Sequence, residues 1–309
     1  MNHSFGSAPS GIMEAPNVVL PNAKVFSKRA TRLRELVQQV PPLDEFLAFM
    51  ARLVQAQHQV LIEREPVWRP AEDAFDQALK HGLPPLGFQA LKRDVPWNED
   101  LLSMLDAMEL HVGEIQRPLL KRLRESSREQ LDALADDVLE ARPGDETSRP
   151  LLPLVAAALQ ISWMRLAMAL PRPPEKPVGE AKGLCPCCGS PPVASVIHNE
   201  RHRAGVRYLH CSLCATEWHL ERLKCSVCDS GAKLLYLTLD DEQGKPAMPV
   251  QAESCGECHS YLKVMLREEH GRADPVADDL ASLALDMLLA EQGEYGRSGY
   301  NPLLIVGGD

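Results

Sequence analysis

Apolar residues recur every three or four positions over most of the first 170 residues, the signature of helices with one buried stripe. From Lys24, the residues Phe26, Leu33 and Val37 share one helical face, and Pro41-Pro42 ends that helix. Phe46, Leu47, Met50, Leu53, Val54 and Leu61 mark a second helix over residues 43–64, and a shorter one over 71–80 stops at Gly82 and Pro84-Pro85. Asn98 is placed to cap a helix carrying Leu101, Leu102, Leu105 and Met108, because its side-chain oxygen can accept an orphan backbone N–H. Ser127 and Gln130 have capping-box spacing ahead of Leu131, Leu134, Val138 and Leu139. Residues 151–170 are the most apolar run. Gln160, Ser162 and Arg165 interrupt it and Pro150, Pro153 and Pro171 bracket it, which predicts a buried helix rather than a membrane span.

The pattern then changes. The proline-rich stretch 171–177 predicts an extended, stiff spacer. Short β-like runs follow at 193–198, 206–210 and 217–220, and again at 234–239, 248–252 and 261–266, with Glu242-Gln243-Gly244 near a hairpin turn. Asp274-Pro275 reads as a cap and first helical residue of a helix carrying Val276, Leu280, Leu283, Met287 and Leu288 and stopping at Gly293. These signals divide the chain into an arm (1–23), a helical domain (24–170), a linker (171–180), two β modules (181–222 and 223–270), and a final helix with a tail (271–309).

Composition adds limits. At 309 residues the chain has room for more than one core. A net charge of −10 argues against a protein built to grip phosphate backbones, which needs a clustered positive field. The first 20 residues carry no basic start followed by an apolar core, so no secretory signal is expected, and the cysteines are read as reduced metal ligands rather than a disulfide framework.

The chemistry lies in those cysteines. Eight of the nine fall in four Cys-x-x-Cys pairs: Cys185/Cys188, Cys211/Cys214, Cys225/Cys228 and Cys255/Cys258. Two such pairs on tight turns, joined by a hairpin, make a tetrahedral four-sulfur site suited to zinc or iron. Sequential pairing leaves 22 residues between Cys188 and Cys211 and 26 between Cys228 and Cys255, enough for two short strands and a turn each. The expectation is two metal ribbons in tandem. Four cysteinates close the coordination shell, which counts against hydrolytic metal catalysis. Gly189, Gly231 and Gly256 suit knuckle turns, and Cys187 inside the first knuckle is read as a spectator thiol.

Other candidates carry less. His58, His81 and His111 are scattered through the helical part, and His210, His219 and His259 stand beside cysteine pairs that are already complete. Asp44, Glu72 and Asp73 read as a solvated face. Arg201, His202, Arg203 and Arg207 form a local basic run, which keeps a nucleic-acid-binding zinc ribbon as one alternative. A thiol–disulfide oxidoreductase is the other, although such a pair needs a helix N-terminus to lower its thiol pKa.

The wording of the motifs goes further than their spacing. Cys185-Pro-Cys-Cys-Gly-Ser190, Arg207-Tyr-Leu-His-Cys-Ser-Leu-Cys214, Thr216-Glu-Trp-His219 and Lys224-Cys-Ser-Val-Cys228 resemble the formate dehydrogenase accessory protein family, known as FdhE. So do Cys255-Gly-Glu-Cys258 with Tyr261-Leu-Lys263, Pro275-Val-Ala-Asp-Asp-Leu280 and Gly299-Tyr-Asn-Pro-Leu303. The resemblance implies an α+β multidomain protein: an all-α N-terminal domain, two tandem rubredoxin-like (zinc-ribbon-like) metal modules and a C-terminal helix. It implies a cytoplasmic maturation factor, not an enzyme, that binds the catalytic subunit of respiratory molybdenum formate dehydrogenase, with no nucleic-acid partner and no membrane insertion. It places iron, with zinc as the alternative, in a first site of Cys185, Cys188, Cys211 and Cys214 and a second of Cys225, Cys228, Cys255 and Cys258.

Overall fold

A helix that is apolar on every side is stable only at the centre of something, and α8 (Leu152–Met168) holds that place. It packs against α2 (Asp44–Glu63), α5 (Trp97–Met108) and α7 (Arg128–Leu139), and 83% of the most apolar window of Arg149–Met168 is buried. The computed structural model describes residues 15–304 except 66, 67, 72, 201 and 242, and only the backbone of residue 180. The sequence readings of residues 1–14, Glu72, Arg201, Glu242 and 305–309 therefore lie outside the described residues.

The remaining helices surround this centre. α1 (Val25–Gln39) lies along α2, and α3 (Ala74–Lys80), α4 (Phe88–Leu91) and α6 (Arg117–Glu125) are short. The capping box at the start of α7 is present in both directions: the Ser127 hydroxyl accepts from Gln130 N–H, and the Gln130 side chain accepts from Ser127 N–H. The expected cap at Asn98 is not formed. α5 begins at Trp97 directly after Pro96, so Asn98 falls inside the first turn, and its side-chain oxygen accepts instead from Arg128 at 2.9 Å.

Eight strands form one sheet: β1 (Val18–Val19), β2 (Pro192–Ile197), β3 (Arg207–Cys211), β4 (Glu217–His219), β5 (Leu234–Leu237), β6 (Val250–Cys255), β7 (Ser260–Leu266) and β8 (Gly296–Arg297). Their order is β1-β4-β3-β2-β7-β6-β5, with β8 beside the start of β7. The sequence predicts a separate sheet for each ribbon. The two are instead fused by the parallel pair β2–β7, in the register Ser195↔Val264, Val196↔Met265 and Ile197↔Leu266. Each three-stranded ribbon alone would leave an edge of unpaired backbone groups, and the fusion satisfies both. The supposed tail also contributes, since β8 pairs with β7 and Asn301 and Leu303 are buried.

The C-terminal helix is two helices, α9 (Ala277–Ala281) and α10 (Leu283–Gln292). The cause is Lys263, a buried ammonium that takes hydrogen bonds to the carbonyls of Asp279 and Ser282 and the hydroxyl of Ser282. The break rotates α10, so Leu285 and Leu289 are buried while Met287 and Leu288 are exposed. α9 starts two residues later than Pro275, at Ala277; Asp274 accepts from the backbone of Val276 and Ala277 in the turn that leads into it, and Gly293 ends α10 in the left-handed conformation. Three ion pairs join α1 to this region, Arg29 to Asp274 at 2.9 Å, Arg32 to Asp278 at 2.6 Å and, nearer the surface, Glu35 to Arg272 at 3.1 Å. One continuous apolar core runs from the helices through the sheet to α9 and α10.

Candidate metal centres

Each Cys-x-x-Cys pair sits on a tight turn between or beside strands, and all four turns end the same way. The residue after the second cysteine has positive φ: Gly189 (79°), Ala215 (58°), Asp229 (59°) and His259 (53°). That conformation turns the backbone so that N–H groups point at sulfur. Leu213 and Cys214 N–H approach Cys211 Sγ at 3.3 and 3.4 Å, and Val227 N–H approaches Cys225 Sγ at 3.4 Å. Of the three glycines the sequence assigns to the knuckles, only Gly189 has this role. Gly231 is needed because a Cβ there would stand 2.6 Å from the Leu223 carbonyl, and a Cβ on Gly256 would press on Lys233 at 3.1 Å. Ala215, Asp229 and His259 all place a β-carbon in the left-handed region, which costs about 1–2 kcal/mol, and Ala215 alone of the three has no polar side chain to bond locally. Ala215→Gly is expected to raise the thermal midpoint of the metal-loaded protein; an unchanged or lower midpoint would contradict the strain.

The turns bring the sulfurs together. Sγ atoms of Cys185, Cys188, Cys211 and Cys214 lie within 4.8 Å of one another, as do those of Cys225, Cys228, Cys255 and Cys258. The closest approaches are Cys188–Cys211 at 3.4 Å, Cys185–Cys214 at 3.6 Å, and Cys225–Cys258 and Cys228–Cys255 at 3.7 Å. Four sulfurs each about 2.3 Å from one tetrahedral metal stand about 3.8 Å apart, so the spacing is that of two four-cysteine metal-binding sites. None of the nine cysteines is in a disulfide. An all-thiolate set of this shape suits zinc and iron alike.

The two sites differ in their surroundings. The first is buried on all four cysteines and locked to the helical part of the chain. Leu86 N–H donates to the Cys187 carbonyl at 2.7 Å, Phe88 N–H to the Cys188 carbonyl at 3.2 Å, and Gln160 from α8 to the Ser212 carbonyl at 2.8 Å. Trp163 secures that loop by donating to the Leu86 carbonyl at 3.0 Å. The second site has Cys228 exposed and Cys258 half-buried, with exposed Leu223, Val227 and Leu235 nearby in the same module. Among the described residues no hydrogen bond ties its knuckles to the helical part. Burial pushes the Cys258 thiol up, but the Ser260 hydroxyl 3.0 Å away and the neighbouring thiols outweigh it and hold it at about 7.

The other sequence candidates fall elsewhere. Cys187 is fully buried beside the first site; contact with Cys185 pulls its thiol down, but Cys214 and burial prevail and push it well up, as befits a protonated bystander. His58, His81 and His111 join no metal-competent group among the described residues. His210 lies between Arg29 and Glu217, His219 beside Lys176, and His259 stacks on Tyr295. Arg203 and Arg207 are committed to internal ion pairs, with Glu217 and Glu253. The sequence reading missed Thr216 and Ser260, each within 3.2 Å of a site sulfur, and the role of Gln160. A glutamine interrupting an otherwise apolar helix was the one available signal for the last.

Comparison with known proteins covers the whole described chain. Family models described as "FdhE, N-terminal", "FdhE, central domain" and "FdhE, C-terminal domain" match residues 15–180, 184–222 and 223–304. The chain is 36% identical over 293 residues to Protein FdhE of Shigella boydii serotype 18, covering 94% of this chain and 92% of the relative. The same figures hold for the Protein FdhE homolog of Cronobacter sakazakii. The crystal structure of the FdhE protein from Pseudomonas aeruginosa superposes with a TM-score of 0.85 at 36% identity, covering 95% of this chain and 100% of that one.

Proposed function

The chain belongs to the FdhE family of formate dehydrogenase accessory proteins, and from that membership we propose that it binds the catalytic subunit of respiratory formate dehydrogenase in the cytoplasm and is required for its assembly or activity. The eight paired cysteines act as the ligands of two metal sites, with iron the favoured metal. Each site fills its four positions with protein sulfur, so no position is left for water or substrate, and the role is binding rather than catalysis.

The observation that supports a regulated form of this role is the contrast between the sites. The first is sealed beneath the helices, while the second presents Cys228 and Cys258 towards solvent beside apolar side chains. Oxidation proceeds most readily where thiolate character and access coincide, which here is at Cys258, held at about 7, rather than at Cys228, whose thiol is pushed up to about 12. The second site is then the redox-sensitive one, and its oxidation or loss of metal releases the client. The test is capture of the catalytic subunit under anaerobic conditions, repeated after exposure to air, with metal content measured in both samples. Capture with iron present that is lost in air supports the regulated reading. Equal capture by metal-loaded, air-oxidised and metal-stripped protein would remove the redox gate, and failure of capture in every state would remove the client.

A further inference from the structure

A cleft of about 660 Å³ opens where three parts of the chain meet: the start of α1, the β2–β3 turn with β4, and the segment between β7 and α9. That is the size of a small-molecule site. Five cationic side chains line it against three acids, in a chain whose net charge is −10. All three acids are already engaged. Glu200 and Glu217 both hold Arg203, and Asp274 holds Arg29 while accepting from the backbone of the turn that leads into α9.

Two of the cations, Lys28 and Arg267, have no carboxylate within ion-pair distance among the described residues. Arg267 is nonetheless held in place. Its Nε donates to the Ala273 carbonyl at 2.8 Å and its Nη1 stands 3.2 Å from His198 Nδ1, which leaves Nη2 uncommitted. A half-buried guanidinium fixed by a carbonyl and an imidazole, with no carboxylate in direct contact although its charge reaches Glu200 and Asp274, keeps a free N–H edge that an incoming anion would satisfy. Lys28 lies on the first turns of α1, which has no side-chain cap and no acidic residue in its first turn, so the helix dipole adds to the positive potential there.

We propose that this cleft binds a small anionic molecule carrying a phosphate or carboxylate group, anchored by Arg267 and flanked by Lys28. None of the eight paired cysteines lines the cleft, although Ala215 of the first knuckle does, and nothing in the accessory role requires it. Equilibrium dialysis of the metal-loaded full chain against radiolabelled inorganic phosphate tests it, at ionic strength held constant with KCl. Saturable binding of one phosphate per chain is expected. Arg267→Gln should weaken it about tenfold or more and Lys28→Gln about threefold, while Lys121→Gln, exposed on α6, leaves it unchanged. Lys28 is exposed, so Lys28→Gln keeps the fold and carries the test should Arg267→Gln misfold. Competition by succinate separates a general anion site from one that selects phosphate. Absence of saturable binding by about 10 mM, or equal binding by both variants and the parent, overturns the proposal.

Discussion

Cys188→Ser is expected to lower bound metal from two ions per chain to one and to loosen the helical part of the protein along with the first module. The reason is the set of bonds that cross from one to the other. The Cys187 and Cys188 carbonyls accept from Leu86 and Phe88, and the Ser212 carbonyl accepts from Gln160 on the central helix. These carbonyls are positioned by the knuckles, and the knuckles by the metal. Structural metal binding of this kind is worth about 10–16 kcal/mol in isolated peptides, as much as the whole stability of an ordinary domain. The expected readouts are a large fall in thermal midpoint, a change in the emission of the buried Trp163, and new protease cleavage near residues 84–88. Cys228→Ser should also cost one metal but leave those readouts nearly untouched, since its site is at the surface and bonded to no helix of the N-terminal part. Equal damage from the two substitutions would show that the asymmetry of the sites has no energetic counterpart.

Arg32→Ala is the second large effect. Arg32 reaches from α1 to Asp278, and both side chains are almost completely buried. Burial is the largest influence on the Asp278 carboxyl and pushes it up even with Arg32 beside it. Without the guanidinium the carboxylate would be buried and uncompensated, so a loss of about 3–5 kcal/mol is expected. A carboxyl raised above its unfolded value destabilises the fold at high pH and ceases to do so as pH falls below that value. The gap between Arg32→Ala and the parent should therefore narrow on acidification from pH 7 towards pH 5. Replacing both partners with leucine should be milder than removing Arg32 alone. Urea titrations at several pH values decide this, and a gap that widens in acid would contradict it.

Much of this was legible from the residues. Helical periodicity gave α1, α2, α7 and α8 close to their observed ends because each has a distinct apolar stripe or, for α8, an apolar circumference. The cysteine spacing gave both clusters, since two residues between ligands is what a knuckle requires. Features that depend on distant partners were hidden. Nothing local in 275–292 reveals that Lys263 will take the carbonyls of Asp279 and Ser282 and divide the helix. Nothing in β2 or β7 announces a parallel partner, because such a pair has no turn of its own to leave a mark. Asn98 misled because Pro96, two residues before it, takes the N-cap position and starts the helix two positions too early for Asn98 to cap.

The pairing of β1 with β4 sets an order on how this chain can come off the ribosome. Val18 and Val19 find their partners at Trp218 and Glu217, Tyr208 donates to the Pro16 carbonyl, and Arg32 waits for Asp278, 246 positions further on. Residues 16–32 are thus secured only after residues 208–278 have been made. During synthesis α1 must hold on α2 alone, with two arginines of its inner face still hydrated, until the final helices emerge. A nascent chain arrested before residue 274 would lack both acids that neutralise them, so α1 cannot be completed until residues 274–278 have been made.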